Sequence, residues 1–243
     1  MKLNSFKMMA GAIMMVLTAA TTLASCDDDQ ETTRYEANIV TIKPQENNSW
    51  LLQLNDSTRL LPSNISASPY GTKELRAYVV YVNQGRANSS TQTRDYQVNV
   101  VSIDTILTKA LSENLIAPNN HQGSMAEDSS NYRAYGADPV GITDSWETTA
   151  TDGYLTLRFC AKFGGTTPHA FHLVHRDDLD EDYVLELYHD AQGDTDGPMA
   201  DGIVAFRLSD HFNLPNDSIR LTLKYKSFNG EKYATFDYKP RKQ

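Results

Sequence analysis

The chain has 243 residues, and its 31 acidic side chains outnumber the 22 lysines and arginines to give a formal net charge of −9 at pH 7. This length is enough for one large or two small domains that bury a core without disulfides or metals. The acidic balance argues against nucleic acid as a partner, because that binding depends on neutralising phosphates with Lys and Arg. It also argues against adhesion to anionic lipid surfaces.

The amino terminus has the layout of a secretory signal. Lys2 and Lys7 precede an apolar run over residues 8–17, and Leu-Ala-Ser then leads into Cys26. The run is shorter than the ~20 residues that a membrane-spanning helix needs, and a cysteine at the cleavage position resembles the lipobox of bacterial lipoproteins. We therefore expect residues 1–25 to be removed as a lipoprotein signal peptide and Cys26 to carry lipid (palmitate). The alternatives are a transmembrane anchor and an ordinary cleaved signal.

An acidic tether follows the cysteine over residues 26–34. Its acid run at 27–29 resembles the export signal that carries lipoproteins of the Bacteroidota to the cell surface, whereas the enterobacterial sorting rule would hold such a protein in the inner membrane. We expect an outer-membrane lipoprotein that faces the cell surface, with the periplasmic face as the alternative. The second cysteine, Cys160, then has no partner, and no intrachain disulfide is expected.

Residues 35–110 contain five strand-like runs. Apolar side chains alternate with polar ones from Trp50 to Leu54, a period of two that is typical of half-buried strands. Residues 76–82 are apolar on both faces, as in a central strand. The alternation reverses its phase at Val101, which predicts a bulge or a sharp bend of the kind that curls a small sheet. The segment therefore predicts a small OB-like barrel.

The rest of the chain divides into a linker and a second β domain. Residues 111–137 are polar and rich in turn formers, and we interpret them as a linker with a helical turn near 107–115. Short alternating strands resume after it, so residues 138–240 predict a β-sandwich. Asn229 and Gly230 lie between the last two strand patterns, and this dipeptide is a strong hairpin signal because both turn residues favour positive φ.

Several short patterns resemble the NigD-like family of Bacteroidota lipoproteins. In chain order they are Arg76-Ala77-Tyr78-Val79, Asp104-Thr105-Ile106-Leu107-Thr108-Lys109, Asp138-Pro139-Val140-Gly141-Ile142 with Trp146, Tyr154-Leu155-Thr156-Leu157, His172-Leu173-Val174, and Leu187-Tyr188-His189-Asp190 through Gly193-Asp194. The resemblance covers roughly residues 35–238. It implies an OB-like N-terminal domain and a C-terminal β-sandwich. The family takes its name from a gene in a bacteriocin operon, where an accessory or immunity role was supposed. It has no established biochemical activity, so the resemblance implies no catalytic residues.

Three histidines spaced three residues apart suggest a metal site. On a strand, His169 and His175 share one face and His172 points to the other, so the three cannot meet one ion without a break in the strand. A structural zinc site also wants four ligands. We therefore expect no metal here, and we keep His169 and His175 as the candidate ligands if one exists.

The acidic segment 190–197 resembles a calcium loop. Asp194 and Asp196 would be its ligands, but the position of the closing bidentate glutamate holds Ile203. Asp and Gly are also frequent in turns for backbone reasons. We interpret the segment as an acidic turn with no cofactor.

The sequence contains no Gly-x-Ser-x-Gly, His-Glu-x-x-His or phosphate loop. Trp50 alternates with leucines and is expected in the core, whereas Trp146 enters a strand from a loop and is the candidate for stacking on a ligand. We therefore predict an all-β, non-catalytic binding or accessory module of the cell envelope, not an enzyme, with an unknown protein or glycan partner. A structural or assembly subunit of a surface appendage is the alternative, and a hydrolase is a third class.

Overall fold

The computed structural model describes residues 33–87, 93–116, 129–179, 183–209, 218–239 and 241. The expected signal peptide, Cys26 and nearly all of the tether lie outside these residues. Within the described ranges the chain is almost entirely β, as predicted. No helix among these residues is long and apolar enough to cross a bilayer.

The first domain is a closed five-stranded barrel in the order β1-β2-β3-β5-β4, which closes where β4 pairs with β1. Its strands are β1 (Tyr35–Pro44), β2 (Trp50–Asn55), β3 (Thr58–Pro62), β4 (Leu75–Arg86) and β5 (Arg94–Thr105), with a 3-10 turn at Glu46–Asn48. The β3–β5 pair is parallel and the other pairs are antiparallel. Trp50 is buried, as predicted, and its indole N–H donates to the Ile65 carbonyl at 3.0 Å.

The predicted bulge in β5 is confirmed. Val80 of β4 lies opposite Ser102 and the next residue, Tyr81, lies opposite Val100, so Val101 has no residue opposite it. Its side chain is 56% exposed. The extra residue increases the local twist, which bends the long β4–β5 pair around the barrel.

The second domain is a β-sandwich of two sheets. Its strands are β6 (Leu107–Ala110), β7 (Gly141–Ile142), β8 (Thr149–Thr151), β9 (Tyr154–Lys162), β10 (Ala170–His175), β11 (Val184–Asp190), β12 (Met199–Arg207), β13 (Ile219–Ser227) and β14 (Gly230–Tyr238). One sheet has the order β10-β11-β13-β14, and the other has the order β6-β12-β9-β7 with β8 paired to β9. The inward residues of both sheets form one apolar core.

The predicted hairpin at the carboxyl end is present, because β13 and β14 pair from Ile219 opposite Tyr238 to Ser227 opposite Gly230. Its turn differs from the expectation that both residues of the dipeptide take positive φ. Gly230 has a φ of 94°, whereas Asn229 is not among the residues with positive φ. The register runs without a shift to Ser227 opposite Gly230, so the glycine with positive φ is the first residue of β14 after a two-residue turn.

The segment after the barrel is a strand rather than the helical turn expected near residues 107–115. β6 pairs in parallel with β12, with Leu107 opposite Val204, so it lies in the sandwich sheet and not, as expected, in the barrel. The described ends of the predicted linker also pack on the sandwich. The Ser112 N–H donates to Leu173 at 2.8 Å, and the helix α1 (Ser130–Tyr135) lies against β10 and β11.

Barrel and sandwich are parts of one compact unit, Arg34–Gln243. The outer face of the barrel contributes Ile39, Ile106 and Tyr78 to a small apolar cluster, and β12 contributes Ile203 and Ala205. This apolar contact is small, and apolar burial alone would leave the two domains free to move relative to one another.

Polar contacts reinforce this junction around Arg76. Its guanidinium is buried, and it donates to three threonine hydroxyls: Thr41 in the barrel at 3.0 Å, and Thr151 and Thr156 in the sandwich at 2.6 and 3.2 Å. Burial lowers the pKa of Arg76 to about 10. The arginine is therefore charged at neutral pH and depends on acceptors from both domains.

A second set of polar contacts crosses the junction around Tyr154. Its hydroxyl donates to Glu74 of the barrel at 2.7 Å, and Arg241 binds the same carboxylate at 2.8 Å. Arg241 also donates to the Asp152 carbonyl, while Lys43 of the barrel binds the Asp152 carboxylate at 2.7 Å. The carboxyl-terminal segment thus ties the barrel to the sandwich.

Candidate functional site

The first candidate surface lies at the edge of this junction. Trp146, in the turn between β7 and β8, is 50% exposed. Its ring contacts Tyr78 on the outer face of the barrel, with centroids 5.7 Å apart and planes at 37°. Two aromatic rings, one from each domain, therefore form a platform that solvent reaches. Trp146 is therefore exposed whereas Trp50 is buried, and its role in stacking on a ligand stays a prediction.

Buried polar groups lie directly behind this platform. The Glu147 side chain is 4% exposed, and its Oε1 accepts from Arg158 Nη1 at 3.2 Å. Its Oε2 and the hydroxyl of Ser145 have no hydrogen-bond partner among the described atoms. Burial raises the pKa of Tyr78, and the charge of Glu147 adds to that shift, so the carboxylate lies close to the platform.

The second candidate surface is at one end of the sandwich. A shallow depression of about 240 Å³ opens there, and its lining includes Asp138, Lys162, His189, Asp194, Asp196 and Phe228. We call it the terminal depression. It brings two of the predicted metal-ligand candidates, Asp194 and Asp196, next to His189, which is not among those candidates.

His169 and His189 form a hydrogen-bonded pair beside this depression. His169 Nδ1 lies 2.9 Å from His189 Nε2, and each ring stacks on a phenylalanine, Phe163 for His169 and Phe171 for His189. The register explains the pair: Phe171 lies opposite His189 in the β10–β11 ladder, so His169, two residues earlier, is the diagonal neighbour on the same face.

Asp194 fastens two loops together at this end. Its carboxylate accepts the N–H groups of Gly164 at 2.7 Å and Gly165 at 2.9 Å. These hydrogen bonds, with Gly164 first, lower the pKa of Asp194. A Cβ on Gly197 would come 1.8 Å from the Phe163 carbonyl oxygen, so glycine is required by the close approach of the two loops. The acidic segment is thus used as a turn that binds backbone N–H groups.

The predicted metal candidates are only partly brought together. Asp194 Oδ2 is 3.7 Å from His169 Nε2, whereas His175 lies at the far end of β10, opposite Leu185. Nitrogens bound to one tetrahedral zinc at ~2.0–2.1 Å point at the ion rather than at each other, and here the two ring nitrogens hydrogen-bond directly. Within the described ranges no group of three His, Cys, Asp or Glu side chains is placed to hold a metal ion.

His172 points to the opposite face of β10, as the strand geometry predicts. Its Nδ1 lies 3.0 Å from the Ser112 hydroxyl, and its ring stacks on Tyr135 of α1 at 4.6 Å. Burial, and then the charge of Lys109, lower its pKa. This histidine therefore holds the linker against the sheet and takes no part in the pair on the inner face.

A buried ionic cluster on the same outer face was not foreseen. Arg176 donates to both oxygens of Asp178, at 2.6 and 2.7 Å, and to Glu186 at 2.7 Å. The Tyr188 hydroxyl donates to Glu186, and Asn114 of the linker donates to Asp178. Burial acts to raise the pKa of Asp178, but the hydrogen bonds from Arg176 and Asn114 and the charge of Arg176 together outweigh it, and the pKa is lowered. Asn114 is distant from Asp178 along the chain, so this part of the cluster is not visible in the local sequence.

Fold and surfaces together define a two-domain, all-β protein in which a five-stranded barrel is fixed against a sandwich. Two family models match this chain. The NigD-like N-terminal OB domain matches residues 39–106, and the NigD-like C-terminal beta sandwich domain matches residues 123–238. The chain belongs to the NigD-like family, as the sequence motifs indicated.

Solved structures show the same architecture. A toxin related protein from Parabacteroides distasonis is 28% identical, with a TM-score of 0.64 over 85% of this chain and 94% of that one. A protein of unknown function from Bacteroides vulgatus is 18% identical, with a TM-score of 0.64 over 84% and 91%. A NigD-like immunity protein from Bacteroides caccae is 20% identical, with a TM-score of 0.56 over 84% and 97%. No curated protein matches the chain.

Proposed function

We propose that this protein is a non-catalytic accessory lipoprotein of the cell envelope, anchored in the outer membrane through lipid on Cys26 and directed to the cell surface. Membership of the NigD-like family supports an accessory role, and the relative described as toxin related is in keeping with a link to bacteriocin operons. The acid run at residues 27–29 supports the surface location.

One observation carries the binding role. Trp146 rests half exposed on Tyr78 at the junction of two domains, and the contacts of Arg76 hold those domains together. Aromatic side chains that stay exposed on a rigid base lose little freedom on binding, and they are frequent centres of interfaces. We therefore assign the contact with a protein or glycan partner to the Trp146–Tyr78 platform.

A photo-crosslinking experiment on intact cells tests this assignment. A photoreactive phenylalanine replaces Trp146 in one variant and, as a control of similar exposure, Tyr233 on β14 in another (50% and 57% exposed). We expect a discrete crosslinked species from position 146 and none from position 233. Equal labelling at both positions, or none at 146, would contradict the platform.

A second candidate function is a structural or assembly subunit. Within the described residues no strand pairs with the outer edge of β14, which runs for nine residues, and open edges of this length support strand addition. In the same experiment this candidate predicts crosslinks between copies from position 233. It also predicts a concentration-dependent oligomer in sedimentation that Thr235→Lys, a charge on the edge strand, abolishes.

The surface location is tested separately. Protease added to intact cells should remove the protein, and replacing the three aspartates at 27–29 with alanine should protect it. Survival of the natural protein until the envelope is broken would contradict exposure on the surface while leaving the accessory role open.

A further inference from the structure

The His169–His189 pair is more deeply enclosed than a surface turn requires. The His169 side chain is 2% exposed and His189 is also 2% exposed. Each ring is covered by the phenylalanine stacked on it. The outer nitrogens, His169 Nε2 and His189 Nδ1, are buried and have no hydrogen-bond partner among the described atoms.

Proton counting shows what this geometry permits. A neutral imidazole has one N–H donor and one acceptor, so the 2.9 Å contact between His169 Nδ1 and His189 Nε2 holds one proton. One added proton gives an imidazolium that keeps this hydrogen bond, and Asp194 at 3.7 Å from His169 Nε2 compensates its charge. With a second added proton both facing nitrogens carry hydrogen, and the bond cannot exist.

Other charged groups around the pair do not remove this limit. Asp138 follows α1, Asp190 ends β11, Asp196 lies in the β11–β12 turn and Lys162 ends β9. The Asp138 carboxylate already accepts the Ala191 N–H at 2.8 Å. The carboxylates favour the first added proton and Lys162 opposes it. None of them lies between the two rings, so none relieves the contact between two imidazolium ions.

We propose that His169 and His189 form a proton-operated latch. At neutral pH it holds the loop between β9 and β10 against the end of the sandwich, and protonation of both rings releases that loop. The loop is otherwise fastened by few contacts: the Asp194 carboxylate on Gly164 and Gly165, and the Phe163 N–H on Pro198 at 3.0 Å. Release would uncover the inner ends of both sheets beside the terminal depression.

The pH range in which the latch opens follows from the lowered pKa of His189. Burial, and then the charge of His169, lower the pKa of His189, against smaller opposing effects from Asp138 and Pro139. The open state therefore binds more protons than the closed state. The latch is fully closed above the ordinary histidine pKa of about 6.5, and it weakens as the pH falls through the lowered pKa.

Hydrogen exchange of the full-length lipoprotein in detergent tests the latch at pH 7.5 and pH 5, after correction for the intrinsic rate. We expect protection of residues 163–169 to fall about tenfold at pH 5, because protonation of the pair opens the loop locally. His189→Phe keeps a stacked ring without a titrating group and should reduce the change to less than about twofold. His172→Phe, on the outer face and also of lowered pKa, should leave the tenfold change intact.

The proposal fails if the loop of the natural protein is equally protected at both pH values, or if His189→Phe responds as strongly as the natural protein. If His189→Phe does not fold, NMR of the histidine rings in the natural protein decides. The latch requires two separate protonation steps for the pair, with loop signals changing at the second step. Independent titration of both rings near the ordinary pKa, with unchanged loop signals, overturns it.

Discussion

The contribution of the Arg76 hydrogen bonds to the stability of the junction can be tested by replacing one threonine hydroxyl with a methyl group. Thr156→Val keeps the volume of the side chain and removes the acceptor that lies 3.2 Å from Arg76 Nε. Burial lowers the pKa of Arg76 from 12.5 to about 10, which corresponds to about 3 kcal/mol against the charged form. Three hydrogen bonds to a charged donor, at about 1.5–3 kcal/mol each, offset that cost.

We therefore expect Thr156→Val to lower the free energy of unfolding by about 2 kcal/mol, because one N–H of a buried cation is left without an acceptor. In an Arg76→Met background the same change should cost less than about 0.5 kcal/mol, giving a coupling energy of roughly 1.5 kcal/mol. Urea unfolding of residues 27–243 measures it, as a midpoint shift of about 1 M if m is ~2 kcal/mol/M. Thr235→Val, on the exposed face of β14, is the matched control.

An equal cost of Thr156→Val in both backgrounds would refute this reasoning, because the threonine would then act through packing alone. A cost below about 0.5 kcal/mol in the natural background would mean that water replaces the lost acceptor. In that case the junction is open to solvent, and the rigid base assigned to the Trp146–Tyr78 platform is wrong.

Three further outcomes are expected. Mass spectrometry of the mature protein should show an acylated amino terminus at Cys26, and Cys26→Ala should leave an uncleaved or released species; an unmodified start elsewhere would contradict lipidation. Glu186→Gln, which leaves a buried arginine without its full counter-charge, should cost about 3–5 kcal/mol, or roughly 10 °C in Tm. Asp237→Asn, in an ion pair whose partners are 68% and 73% exposed, should cost less than about 0.5 kcal/mol. A chelator should change the Tm by less than ~1 °C, and a drop of many degrees that His169→Ala or Asp194→Ala abolishes would establish a metal site.

The alternation of apolar and polar residues predicted most of the strands, because each strand has one face in a core. The alternation around Trp50 predicted its burial correctly, and the phase reversal at Val101 located the bulge to the residue. A one-residue change of phase moves every later side chain to the other face, so such a slip is visible in sequence alone. The motifs that resemble the NigD-like family then predicted that a barrel domain precedes a sandwich domain.

Contacts between distant segments were not visible in the same way. β6 has four residues, and its place beside β12 depends on a partner almost a hundred positions later, so local pattern assigned it to the wrong domain. His169 was selected for its spacing from His172 and His175, yet its partner is His189, which lies across the β10–β11 ladder. Pair register, rather than spacing along one strand, decides which histidines meet.

Arg76 is a charged residue that is buried at the junction of the two domains, close to the Trp146–Tyr78 platform. A strand that is apolar on both faces is expected to be central in a sheet, and β4 is paired on both sides, with β1 and β5. Its inner face fills the barrel, while its outer face, with Tyr78, packs against the sandwich. The arginine is buried by that second contact, and the exposed edge of the same contact carries Trp146. The packing that hides one polar residue therefore places the aromatic platform at the surface, which ties the stability of the junction to the proposed binding role.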